Sequence, residues 1–93
     1  MSSFTVRVEL DSNIYSDFEI LHRAMELNGF KKTISGTDGE YHLPRAEYSI
    51  STSVSRAAVL KLAEDAVAKT HKKGEILVTE SAGRTWSGLS KVR

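Results

Sequence analysis

Phe4-Thr5-Val6-Arg7-Val8-Glu9-Leu10-Asp11 alternates without a break: Phe4, Val6, Val8 and Leu10 fall on one side, Thr5, Arg7, Glu9 and Asp11 on the other. Successive side chains of a β-strand point to opposite faces, so this stretch reads as a strand with one buried and one solvated face. Sheets made of such strands are typically antiparallel, with their helices gathered on one side.

Working outward, Ser16-Asp17-Phe18-Glu19 has the form of a capping box that opens a helix. Phe18, Leu21 and Met25 make one apolar stripe on it, and Ile20, Ala24 and Leu27 a second. Glu19, His22, Arg23 and Glu26 share the opposite face, and Asn28-Gly29 ends the helix. Phe30 to Ser35 reads as a weaker strand, followed by the turn Gly36-Thr37-Asp38-Gly39. Glu40 to Arg45 is expected to be irregular, because Pro44 has no N–H for a central ladder. Ala46 to Thr52 alternates again. Ser53 or Ser55 caps a second helix, with Val59, Leu62, Ala63 and Ala66 as its buried stripe and Gly74 as its stop; Glu75 to Glu80 is the last strand.

The order strand, helix, strand, strand, helix, strand predicts an α+β fold: a ferredoxin-like βαββαβ two-layer sandwich, with a four-stranded antiparallel sheet and two helices on one face. The first and third strands would be central. Their outward residues would be Thr5, Arg7, Glu9, Glu47, Ser49 and Ser51, none of them aromatic. That argues against RNA recognition by stacking bases on the sheet. The competing uses of this face are plain solvation and a two-fold dimer contact.

A chain of 93 residues suffices for one domain, 1–93, with a core over 4–80 and a basic C-terminal extension over 81–93. The extension carries Arg84, Lys91, Arg93 and the only tryptophan, Trp86, and reads as a short extra strand or a segment that pairs with a partner chain. With 13 basic and 12 acidic residues the net charge is +1, so nucleic-acid contact requires a local patch. Cysteine is absent, which excludes disulfides, thiolate metal sites and cysteine nucleophiles. No leader pattern and no spanning segment is visible, so a cytoplasmic protein without membrane contact is expected.

Tyr41-His42-Leu43-Pro44-Arg45 runs into Ala46-Glu47-Tyr48-Ser49-Ile50-Ser51-Thr52-Ser53-Val54. This segment resembles the GhoS-type antitoxin family, which has a Tyr-x-aliphatic-Pro-Arg loop leading into a strand that ends in hydroxyl residues. A first strand ending in an aspartate, here Asp11, and the pattern Phe18, Leu21, Met25, Phe30 extend the likeness over residues 4–70. The resemblance implies a ferredoxin-like endoribonuclease, the antitoxin of a type V toxin–antitoxin system, that cuts its toxin's messenger. It also implies kinship with the dimeric CRISPR-associated nucleases of this fold. The family's helix arginine falls at His22, with Arg23 beside it.

The candidate catalytic residues are His22, Arg23 and Arg45. His22 is placed to move the 2′-OH proton in RNA cleavage, and Arg23 or Arg45 to stabilise charge on the phosphorane. The bland alternatives are a solvated His22 beside Glu19 and Glu26, and an Arg23 paired with Glu19. Lys31, Lys32, His42, Arg84 and Trp86 are the candidate RNA contacts, the last two by phosphate binding and base stacking. Against that stands Trp86 as a mere anchor for the tail. Asp11 is a weak candidate for Mg²⁺ shared between two subunits, against a turn-forming aspartate at a strand end. No cofactor is expected, and the isolation of Asp11 from other carboxylates, Glu9 excepted, suggests metal-independent chemistry. The expected partners are single-stranded RNA and a second copy, joined through the polar sheet face or the tail. The alternative is a non-catalytic dimeric module that binds protein or nucleic acid.

Overall fold

The computed structural model describes residues 1–93. The elements in order are β1 (Ser2–Leu10), α1 (Tyr15–Leu27), β2 (Thr33–Gly36), β3 (Gly39–His42), β4 (Glu47–Thr52), α2 (Arg56–Ala68) and β5 (Gly74–Glu80). β1 lies at the centre of an antiparallel sheet of order β4-β1-β5, and β2 and β3 form a separate antiparallel hairpin. The register sets Val6 opposite Tyr48 on one side and opposite Val78 on the other.

The alternation of β1 decides where the core lies. Phe4, Val6, Val8 and Leu10 are buried in one cluster with Leu21 and Met25 of α1 and Val59, Ala63, Ala66 and Val67 of α2. Both helices therefore cover the same side of the sheet. Met25 is fully buried; truncating it to alanine would cost about 2–5 kcal/mol by lost transfer energy and the cavity left behind. The opposite side keeps Arg7, Glu9 and Ser51 exposed, and Arg7 bridges Glu9 at 2.6 Å and Glu47 at 3.3 Å.

The structure corrects the expected four-stranded sheet. The chain after α1 touches β4 at one antiparallel bridge, Lys31 with Ser49. At the next contact the Ser49 hydroxyl donates to Thr33 O at 2.6 Å. A side chain there takes the acceptor that a ladder would use, and the strand turns away to pair with β3 instead. Glu40 to His42, expected to be irregular, is strand, because β3 ends before Pro44 and needs no donor from it. Pro44 sits in the loop beyond.

The helix ends also differ in detail. α1 begins at Tyr15 with no side-chain cap, so the Ser16 capping box does not form. Its first turn is held instead by Ser12, whose hydroxyl donates to the buried Asp17 at 2.6 Å and accepts from Ile14 N–H. Of the second apolar stripe of α1 only Ala24 packs against the core; Leu27 is 81% exposed and Ile20 also lies open. Ser55 caps α2 by accepting from Ala58 N–H at 3.2 Å. The reversal after α2 is made by His71, at φ 58°, rather than by Gly74. Gly74 opens β5, where an added Cβ would stand 3.1 Å from Val67 Cγ1.

The tail returns over the open side of its own sheet. Ser81 N–H donates to Ser3 O, and Arg84 Nε donates to Thr5 Oγ1, each at 2.8 Å. Trp86 rests against Tyr41, ring centroids 5.4 Å apart, above Gly36, where a Cβ would come within 3.0 Å of the indole. Lys91 bridges Tyr41, with His42 N–H donating to Ser90 O and Val92 N–H to Glu40 O. The tail thus adds a strand-like segment to β3 within the chain.

Candidate functional site

Three pieces of chain meet at one end of the helix layer. α1 carries His22, Arg23 and Glu26 on its polar face. β4 turns Tyr48 toward the helices, because Tyr48 shares the inward side with its register partner Val6. The Lys31–Ser49 bridge draws residues 30–33 alongside β4. Between them lies an open depression of about 620 Å³ lined by His22, Arg23, Glu26, Phe30, Lys31, Lys32, Thr33 and Tyr48.

Tyr48 is 1% exposed, and its hydroxyl meets His22 Nδ1. The assignment that leaves no buried phenol proton unpaired has the hydroxyl donate and Nδ1 accept, with the imidazole proton on Nε2. Burial, then the nearby Lys32 charge, holds the His22 pKa below the usual histidine value. Burial pushes the Tyr48 hydroxyl above the ordinary phenol value. Both effects keep the pair uncharged at neutral pH. His22 is therefore not a solvated surface histidine, and Arg23 makes no ion pair with Glu19.

Lys32 lies beneath this pair. Its ammonium stands 4.4 Å from the Tyr48 ring centroid and donates to Pro44 O at 3.1 Å, Arg45 O at 2.6 Å and Glu47 O at 2.8 Å. Burial pulls its pKa down to about 8, partly opposed by Glu47. An ammonium has three donors, and here each meets a carbonyl. Lys32 thus pins the Pro44–Glu47 loop and is not a free phosphate ligand, whereas Lys31 is exposed.

The structure brings His22, Arg23, Lys31 and Lys32 together, and leaves the other candidates elsewhere. Arg45 has its carbonyl on Lys32 and an exposed side chain without an ion pair. His42 is exposed at the end of β3. Arg84 and Trp86 line a second concavity of about 650 Å³ with Ser3, Ser35, Asp38 and Tyr41. It lies across the sheet from His22, since Arg84 bonds Thr5 on the outward side. Arg84 Nη2 is buried there without a hydrogen-bond partner. Asp11 continues the β1–β5 ladder, its N–H donating to Lys73 O, and shares a shallow depression with Glu9, Lys73 and Glu75. No group of three or more His, Cys, Asp or Glu side chains gathers to hold a metal ion.

Sequence reasoning missed Tyr48, which the alternation of β4 marked only as an inward position. The available signal was a tyrosine on a core face, since a buried phenol needs a polar partner. No model of a known protein family matches the chain, and no curated protein sequence matches it. No helix is long and apolar enough to cross a membrane.

Proposed function

We propose that the chain binds single-stranded RNA in the His22 depression and cuts it by attack of the 2′-OH on the adjacent phosphate, as a cytoplasmic GhoS-like antitoxin endoribonuclease. The observation that carries this reading is a neutral histidine, oriented by a buried tyrosine, in an open cleft edged by the unpaired cations Arg23 and Lys31. The strand order β5-β1-β4, with the chain before the hairpin touching β4 at one bridge, supports the ferredoxin-like part of this reading.

In this scheme His22 Nε2–H and Arg23 donate to the non-bridging phosphate oxygens, where charge develops. Glu26, one helical turn beyond His22 and facing the same cleft, accepts the 2′-OH proton. The 2′-oxygen bonds to phosphorus, the P–O5′ bond breaks, and the 5′-oxygen leaves with a proton from water. The products are a 2′,3′-cyclic phosphate end and a 5′-OH end. This differs from the role expected for His22 as proton acceptor, because in the tautomer assigned above Nδ1 accepts from Tyr48 and Nε2 carries the proton.

The test is incubation of purified protein with a labelled RNA pool, with and without EDTA, beside His22→Ala, Arg23→Ala and Glu26→Gln. The reading requires specific cuts with cyclic phosphate ends that persist in EDTA. Each variant should reduce them by about 10²–10³-fold. RNA binding at low salt without any cutting would favour the second reading, a non-catalytic module. A His22 whose Nδ1 is taken by Tyr48 and a Lys32 ammonium whose donors are all taken by carbonyls are compatible with that reading. Absence of both binding and cutting by folded protein would remove both.

A further inference from the structure

β5 is the outer strand of its sheet on the side away from β4. Its ladder to β1 has a defined phase: Ser81 N–H donates to Ser3 O and Asp11 N–H to Lys73 O, each at 2.8 Å. These pairs continue the register that runs from Phe4 opposite Glu80 to Leu10 opposite Gly74. In an antiparallel ladder, hydrogen-bonded pairs alternate with non-bonded ones. Glu75, Leu77 and Thr79 therefore bond to β1, while the N–H and C=O groups of Gly74, Ile76, Val78 and Glu80 point out along the free edge. Natural edges are commonly blunted by lysine, proline or a bulge. Residues 74–80 contain neither lysine nor proline, their two charges, Glu75 and Glu80, stand near the ends and leave Ile76 to Thr79 uncharged, and their register to β1 runs without interruption. At the midpoint Leu77 is 63% exposed on the outward side of the sheet.

We propose that this edge is a homodimer interface in which β5 pairs antiparallel with β5 of a second copy about a two-fold axis at Leu77. Among the registers that the phase of the edge allows, this one gives the longest overlap, because Leu77 is the midpoint of β5. Centred on Leu77, it sets Ile76 opposite Val78 and Gly74 opposite Glu80 of the other copy, so every outward-pointing backbone group meets another. Leu77 then faces Leu77 as a non-hydrogen-bonded pair, where Cα atoms approach to about 4.5 Å and side chains meet closely. Glu75 comes opposite Thr79, so no like charges face each other. At either end Glu80 comes opposite the small Gly74 of the other copy, so its carboxylate, 3.9 Å from Arg56 of its own chain, meets no like charge. The interface is isologous and closes on two copies. It joins the two sheets through β5, apart from the β4 edge, the tail and the His22 depression.

Because the natural chain has no cysteine, Leu77→Cys supplies a single thiol at the proposed axis. On mild oxidation it should convert to a covalent dimer, whereas Thr79→Cys, which faces Glu75, should cross-link at least tenfold more slowly. The unmodified protein should show a concentration-dependent mass approaching twice 10.3 kDa by light scattering. Leu77→Lys, which sets two cations against each other at an exposed position, should abolish that species without altering the circular dichroism spectrum. A mass of one chain at every concentration, or equal cross-linking of the two cysteine variants, would overturn the proposal. So would a dimer that survives Leu77→Lys unchanged.

Discussion

The Tyr48 hydroxyl, inside the sheet-facing core, is bonded to His22 Nδ1 on the polar face of α1. It is the link between the core and the candidate site. Tyr48→Phe keeps the ring, its burial and its contact with the Lys32 ammonium, and removes only the donor. Stability should fall by about 1 kcal/mol, the net worth of a typical hydrogen bond, measured by urea denaturation. The nitrogen-15 shifts of His22 should move from a single Nε2–H tautomer to a mixture. An unchanged tautomer in the variant would show that Tyr48 does not orient the ring.

Stability should depend on pH through His22. Its folded pKa is depressed below 6.5, by burial first and by Lys32 second. The folded state therefore prefers the neutral ring. That preference contributes fully above pH 6.5 and is lost as pH falls through the folded pKa, because the unfolded chain then binds the proton more readily. The thermal midpoint of the natural protein should drop below pH 6.5 more steeply than that of His22→Gln. Parallel curves for the two would contradict the assignment.

Lys32 titrates in the opposite part of the scale. With a folded pKa of about 8 against an ordinary value near 10.4, the folded chain releases this proton first. Its contribution to stability therefore rises with pH between these values and is least below about pH 8. Selective ¹³C-methyl labelling should reveal one lysine with a midpoint near 8. Lys32→Met leaves the Pro44, Arg45 and Glu47 carbonyls without their donor. It should cost about 1–3 kcal/mol and speed amide exchange at Glu47, whose N–H bonds Pro44 O across the same loop.

His71 turns the chain out of α2 in the left-handed region, at φ 58°. That conformation costs an L-residue about 1–2 kcal/mol. The buried Thr70 holds the turn, its hydroxyl donating to Val67 O at 2.7 Å and accepting from Lys72 N–H at 3.1 Å. His71→Gly relieves the backbone but enlarges the freedom of the unfolded chain. The net expectation is a gain of up to about 1 kcal/mol, read as a higher thermal midpoint. A lower midpoint would mean that the imidazole makes a contribution of its own.

Much of this architecture was legible in the chain because burial has a period. The alternation of Phe4 to Leu10 and of Tyr48 to Ile50 identified the inward faces of β1 and β4. Asn28-Gly29 marked the end of α1, and Ser55 capped α2 as its residue type allows. Where the reading failed, local preference met a competitor in space. Ser16 lost the start of α1 to the Ser12–Asp17 pair, and Gly74 was needed against Val67 rather than at the helix stop. The outer strand was diverted when Ser49 bonded Thr33 O.

The candidate site divides in the same way. The sequence by itself determined that His22, Arg23 and Glu26 share a helix face, since that follows from 3.6 residues per turn. Only the tertiary structure decided that Tyr48, distant in sequence, would take the Nδ1 of His22. It likewise decided that Lys32 would be consumed by three carbonyls, that Arg84 and Trp86 would lie across the sheet, and that β5 would keep a bare edge. Periodicity says which side of an element is buried. Which group a side chain meets depends on how elements dock and in what register, and those are set by the whole core at once.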